Sequence, residues 1–178
     1  MTARHKVGIY PGSFDPIHSG HIAFALQAMS ECNLSKVVFL PEPQPRGKPN
    51  ITALLHRVAL IDFAIQSKPG LELGQPVSRR FSVSNSLPKL TASYADAALT
   101  FLMGSDVVKT LDGWPHITTL LTKASLAIGL REGDTPDTMA AIMEQLARRS
   151  GAAAKLSLSV SASRARAGPQ KPCVGSHG

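Results

Sequence analysis

Cysteine is nearly missing from this 178-residue chain, which has only Cys32 and Cys173. The two are far apart and lack any metal-ligand spacing, so reduced, unpaired thiols are expected rather than a disulfide framework or a thiolate metal site. Long apolar runs are also missing. Charges or prolines interrupt every candidate, which argues against a membrane-spanning helix. The apolar stretch behind Met1-Thr-Ala-Arg-His-Lys6 is too short for a secretory signal, and the expected location is cytoplasmic. Acidic residues are scarce, 12 against 19 Lys and Arg, giving a formal net charge of +7 at pH 7. The cations are scattered and not interleaved with aromatics, so no nucleic-acid surface is expected; small polyanions suit the same charge.

What is present fits one soluble domain. Hydrophobic residues make up 43% and charged residues 17%, and the length supports one core but not two comfortable ones. The expected organisation is a domain over residues 1–168 and a flexible tail over 169–178, where no periodicity remains. Strand-like apolar runs fall at 6–10, 36–41, 71–73, 98–103, 125–130 and 156–160. They alternate with helical patterns at 20–31, 52–66, 86–93, 106–111, 117–122 and 135–149. Such alternation predicts an α/β fold with a mainly parallel sheet. In the second helix, Leu54, Leu55, Val58, Ala59, Ile61, Ala64 and Ile65 recur with a helical period. The last helix opens on Asp134-Thr-Pro-Asp, a helix-start signal.

The most informative run is Gly12-Ser-Phe-Asp-Pro-Ile-His18-Ser-Gly20-His21, between the first strand and the first helix. A glycine turn there lets a ligand approach the backbone, and a helix N-terminus favours anions. Two imidazoles three positions apart can face the same side and donate to phosphate oxygens. The arrangement suits a nucleoside triphosphate and points to an enzyme. Asp15 and Pro16 read as turn-forming, with Asp15 in a capping role.

With these residues the chain resembles the His-x-Gly-His nucleotidylyltransferases, and among them the bacterial nicotinate-nucleotide adenylyltransferases. Six ordered motifs carry the resemblance. They are Gly12 to His21; the proline-rich loop Pro41-Glu-Pro-Gln-Pro-Arg-Gly-Lys48; Arg57; Phe81-Ser-Val-Ser-Asn-Ser-Leu87; Gly104-Ser-Asp106 with Trp114; and Val160-Ser161-Ala-Ser163-Arg-Ala-Arg166. The resemblance implies a single Rossmann-like, doubly wound sheet of order 3-2-1-4-5, with helices on both faces and ligands at the strands' carboxyl ends.

It also implies transfer of AMP from ATP to nicotinate or nicotinamide mononucleotide, with release of pyrophosphate, as a step of NAD biosynthesis. His18 and His21 would hold the α-phosphate. ATP would further meet Gly12, Ser13, Phe14, Gly20, Gly104 and Asp106, with Ser161, Ser163 and Arg166 on the β- and γ-phosphates. The mononucleotide would meet Lys48, Arg57, Ser82, Ser86, Trp114 and Arg131. Asp106 has a second reading as a helix cap and Trp114 as a packing residue, and Arg131 could serve structure or phosphate. The segment from Ser161 to Arg166 could be a Ser/Ala-rich linker, and the cations Lys48 and Arg57 could simply be solvated. Mg²⁺ is expected to ride on the triphosphate, with no dedicated protein site. The assembly is open, a homo-oligomer included. Two rivals are another adenylyltransferase of the superfamily, such as the phosphopantetheine enzyme, and a nucleotide-binding protein without activity.

Overall fold

The computed structural model describes residues 5–151 and the backbone of 156–162. Strands β1 (His5–Gly12), β2 (Lys36–Pro41), β3 (Leu71–Leu73), β4 (Ala97–Gly104), β5 (Ser125–Leu130) and β6 (Leu156–Ala162) form one sheet of order β3-β2-β1-β4-β5-β6, with every pair parallel. The expected order 3-2-1-4-5 is there. The sheet is one strand wider than expected, because the run at 156–160 pairs with the outer edge of β5.

Helices α1 (Ser19–Cys32), α2 (Leu54–Ile65), α3 (Val83–Ser93), α4 (Ser105–Val108), α5 (Ile117–Lys123) and α6 (Pro136–Ser150) cover both faces of the sheet. Successive side chains of a strand point to opposite faces, and the buried residues separate accordingly. Val7, Ile9, Val38, Phe101 and Met103 pack with α3, α5 and α6. Tyr10, Val37, Phe39 and Leu102 pack with α1 and α2. Sequence periodicity alone thus generates two cores around one sheet.

Local chemistry explains the boundaries that differ from expectation. Helix α3 starts three residues earlier than its apolar pattern, because the Ser82 hydroxyl accepts from Asn85 N at 3.3 Å and caps it. The cap of α6 is Thr135, whose Oγ1 accepts from Thr138 N at 3.2 Å, and Asp134 is engaged elsewhere. The helix expected at 106–111 breaks into α4 and a 3₁₀ turn at Leu111–Gly113. Cys32 is buried, and Cys173 lies outside the described residues. No helix among the described residues is long and apolar enough to cross a membrane.

Candidate active site

The strand order reverses between β1 and β4, which pair as neighbours and leave a crevice at their carboxyl ends. Two chambers open there, of about 580 and 350 Å³. Tyr10, His18, His21, Gly104 and Arg131 line both, so these residues stand where the chambers meet. The larger also takes in Gly12, Ser13, Phe14, Lys48, Asp106 and Trp114, and the smaller Gly20 and Gly129.

The imidazole pair is built by the start of α1. His18 is the N-cap, and its Nδ1 accepts from Gly20 N at 3.2 Å; His21 Nδ1 accepts in return from His18 N at 3.2 Å. This is a capping box made of two histidines, and it satisfies amides that a helix start leaves without partners. The rings stack with centroids 3.7 Å apart. Since each Nδ1 is an acceptor, the remaining ring nitrogen, Nε2, carries the hydrogen in the neutral form. The backbone caps therefore fix the tautomer of both rings. Gly20 is needed for this packing, because a Cβ there would stand 3.0 Å from the His18 ring.

Aromatic side chains floor the site. Tyr10 meets Phe14, Phe24 and Phe39 with ring centroids 5.2 to 5.5 Å apart, and Phe14 lies 5.1 Å from His21. Burial against this floor, helped by the charges of His18, Arg131 and Lys48, pushes His21 down to about 4. His21 is thus neutral near pH 7 and donates through Nε2 without a charge of its own. Burial raises the Tyr10 hydroxyl to about 12, so it stays a donor.

The wall after β4 is a polar network. Ser105 is wholly buried; its hydroxyl donates to Asp134 Oδ2 at 2.6 Å and accepts from Arg131 N at 2.9 Å. Lys109 Nζ meets Asp134 Oδ1 at 2.5 Å, and the bonds from Lys109 and then Ser105 hold this carboxyl below its ordinary value. Arg131 Nε in turn reaches Asp106 Oδ1 at 3.1 Å. A Cβ on Gly104 would collide with the Asp106 carboxylate. The reading of Asp106 as a side-chain cap does not hold, because the N-cap of α4 is Gly104.

Lys48, on the loop after β2, donates its Nζ to Ser13 Oγ at 2.7 Å, and Trp114, beyond β4, stands beside Phe81 at 6.1 Å between ring centroids. Trp114 Nε1 donates to Thr110 Oγ1 at 3.2 Å. The tryptophan thus packs on the core and lines the cavity together. Three expected contacts are corrected. Arg57 is 0% exposed and its donors end on backbone carbonyls, so it cannot reach a mononucleotide phosphate. Ser86 is also 0% exposed, accepting from Ser82 N at 3.1 Å and bonding the Ser78 hydroxyl at 2.9 Å. Ser82 caps α3 and, like Ser86, is not among the lining residues.

Ser161 belongs to β6, opposite Gly129 in register. Ser163 and Arg166 lie outside the described residues. Sequence reasoning missed Tyr10 and Glu42 as lining residues. Each looks like an ordinary strand or loop residue until the sheet is assembled. The carboxylates at the cavity already have partners. Asp15 Oδ2 accepts from Thr52 N at 3.0 Å, which holds its carboxyl below the ordinary value, and Glu42 Oε2 accepts from Phe81 N at 3.2 Å. The larger chamber thus carries both signs, Asp15, Glu42 and Asp106 against Arg46, Lys48 and Arg131.

Residues 9–167 match the family described as cytidylyltransferase-like. The chain belongs to that family. A Lactococcus lactis protein named a probable nicotinate-nucleotide adenylyltransferase is 39% identical over 138 residues, covering 74% of this chain and 70% of its own. A Thermomicrobium roseum protein of the same name is 38% identical over 135 residues, covering 72% of this chain and 62% of the relative. This chain is thus shorter than the curated relatives it matches. Among solved structures, the Plasmodium falciparum nicotinic acid mononucleotide adenylyltransferase complexed with NaAD superposes with a TM-score of 0.66 at 20% identity, covering 78% of this chain and 71% of that one. That likeness concerns the fold.

Proposed function

We propose that this cytidylyltransferase-like chain transfers AMP from MgATP to the phosphate of nicotinate mononucleotide, releasing pyrophosphate. The observation that carries the reading is the stacked pair His18 and His21, each capped through Nδ1, at the junction of two chambers. The names of the curated relatives support the same acceptor.

In this reaction a phosphate oxygen of the mononucleotide attacks the α-phosphorus of ATP. The bond from that phosphorus to the bridging oxygen breaks, and its electron pair leaves with pyrophosphate. Such transfers need alignment and charge neutralisation more than covalent help. The Nε2–H groups of His18 and His21 would hold the α-phosphate oxygens as charge builds on them. Lys48 and Arg131 supply positive charge on either side, and Asp106, exposed beside Arg131, has a carboxylate oxygen for a ribose hydroxyl. Trp114 offers a ring face to the pyridine. Ser161, Ser163 and Arg166 are assigned to the leaving pyrophosphate on the resemblance of their motif. Mg²⁺ would enter on the triphosphate of ATP, mostly hydrated and held through substrate oxygens.

The test is a panel in which ATP is paired with nicotinate mononucleotide, nicotinamide mononucleotide or phosphopantetheine, and pyrophosphate is followed. Turnover is expected with nicotinate mononucleotide, and His21→Ala should lower kcat on the order of a hundredfold or more. Preference for phosphopantetheine, or no turnover at all, would refute the assignment.

A further inference from the structure

Among the described residues, Arg57 is the largest side chain that is wholly buried. It follows from the period of α2: Arg57, Ile61 and Ile65 are one turn apart and form the helix's buried stripe. A guanidinium occupies the place where the pattern would put another aliphatic residue. A charge buried without an ion-pair partner is costly unless its hydrogen bonds are met, and among the described residues no carboxylate pairs with it. Its bonds all run to main-chain carbonyls: Nε to Thr52 at 2.8 Å, Nη1 to Ser13 at 2.6 Å, and Nη2 to Glu42 at 3.0 Å and Pro43 at 3.3 Å.

Those carbonyls belong to three separate segments: the turn after β1, the proline-rich loop after β2, and the entry to α2. We infer that Arg57 is a positioning residue that locks these segments into one wall of the larger chamber and acts on the substrate through Ser13 and Lys48. Ser13 gives its carbonyl to Arg57 and its hydroxyl to Lys48 Nζ, so the two cations are coupled through one residue. Thr52, held through its carbonyl, donates its amide to Asp15 in the turn. The planar fork of a guanidinium can serve several carbonyls at once, whereas a lysine ammonium is a single point charge. Arg57→Lys is therefore the discriminating variant: it keeps the charge and loses the span. The effect on turnover rests on the adenylyl-transfer reading, while the effect on the loops does not.

Two measurements on the full chain test this. The first is amide hydrogen exchange at Glu42, Gln44 and Thr52, which donate to Gly12 O, Arg79 O and Asp15 Oδ2. In Arg57→Lys these amides should exchange on the order of tenfold faster, with β4 and β5 unchanged. The second is a kinetic cycle with Lys48→Ala. Arg57→Lys should lower kcat/KM for the mononucleotide by about tenfold or more, and the double variant should be little worse than Lys48→Ala alone. Unchanged exchange in the three amides, or losses that multiply in the double variant, would overturn the inference. If Arg57→Lys does not fold, Ser13→Ala takes its place, since it spares the four carbonyl bonds. It should reproduce the loss of Lys48→Ala and add nothing to it, and multiplying losses there would overturn the relay. A wild-type chain without turnover would refute the reaction and leave the exchange rates to decide on Arg57.

Discussion

His21 combines a structural and a chemical task in one ring. Its Nδ1 closes the cap of α1, and burial against Phe14 and Tyr10 keeps it neutral. In the unfolded chain it takes up its proton near its ordinary 6.5, and in the folded one only near 4. Between these values protons bind the unfolded chain more, so stability rises with pH across that window. The contribution is complete above about pH 6.5 and is lost as the pH falls toward 4. Asp15 and Asp134, whose folded values are lowered, lose their contributions only as the pH falls further, below 3.8. Thermal melts of wild type and His21→Gln from pH 7 to pH 4 should therefore diverge, with wild type losing more. Parallel curves would contradict the assigned burial of His21.

Among the elements, α1 shows how a helix start becomes a site. Without a side chain at Gly20 the His18 ring lies back over the first turn, where its Nδ1 meets the backbone amide. Alanine in an exposed helix position is favoured over glycine by roughly 0.5–1 kcal/mol. Gly20→Ala gains that propensity but displaces the His18 ring and loses its cap on the Gly20 amide, worth about 1 kcal/mol, so the two nearly cancel. A kcat lower by about 10- to 100-fold at nearly unchanged Tm is the expected outcome. Full activity would mean that the ring position is not set by this turn. The same reasoning applies across the crevice, where the Ser105 hydroxyl from α4 holds the Arg131 amide and is itself held by Asp134 before α6.

For the whole molecule, the excess of 7 positive charges acts at a distance. Inside the larger chamber Asp15, Glu42 and Asp106 balance Arg46, Lys48 and Arg131, so this attraction comes from the chain as a whole. Anionic MgATP is therefore drawn toward the protein, and salt screens that attraction over about 10 Å at 0.1 M. Raising NaCl from about 50 to about 500 mM should lower kcat/KM for ATP severalfold while kcat stays nearly constant. Salt-independent kcat/KM would rule out steering by this charge.

Much of the molecule was legible in the sequence, because periodicity and turn chemistry are local. Every strand run has its strand, with β2, β3 and β5 at the expected ends, whereas the helix expected at 106–111 splits into α4 and a 3₁₀ turn. The turn from Gly12 to His21 announced an anion site because glycine, imidazole and a helix start each have a direct chemical meaning. What only the tertiary structure decided concerns partners distant along the chain. Arg57 shares the spacing of Ile61 and Ile65, but a cation reads as a phosphate ligand or a solvated charge, and only the assembled fold turns it inward onto carbonyls of Ser13, Glu42 and Thr52. Ser86 turned inward to Ser78, Asp134 reached back to Ser105, and Tyr10 and Glu42 came to line the cavity. A residue type fixes which bonds a side chain can make, but the packing of separate segments determines which of those partners comes within reach.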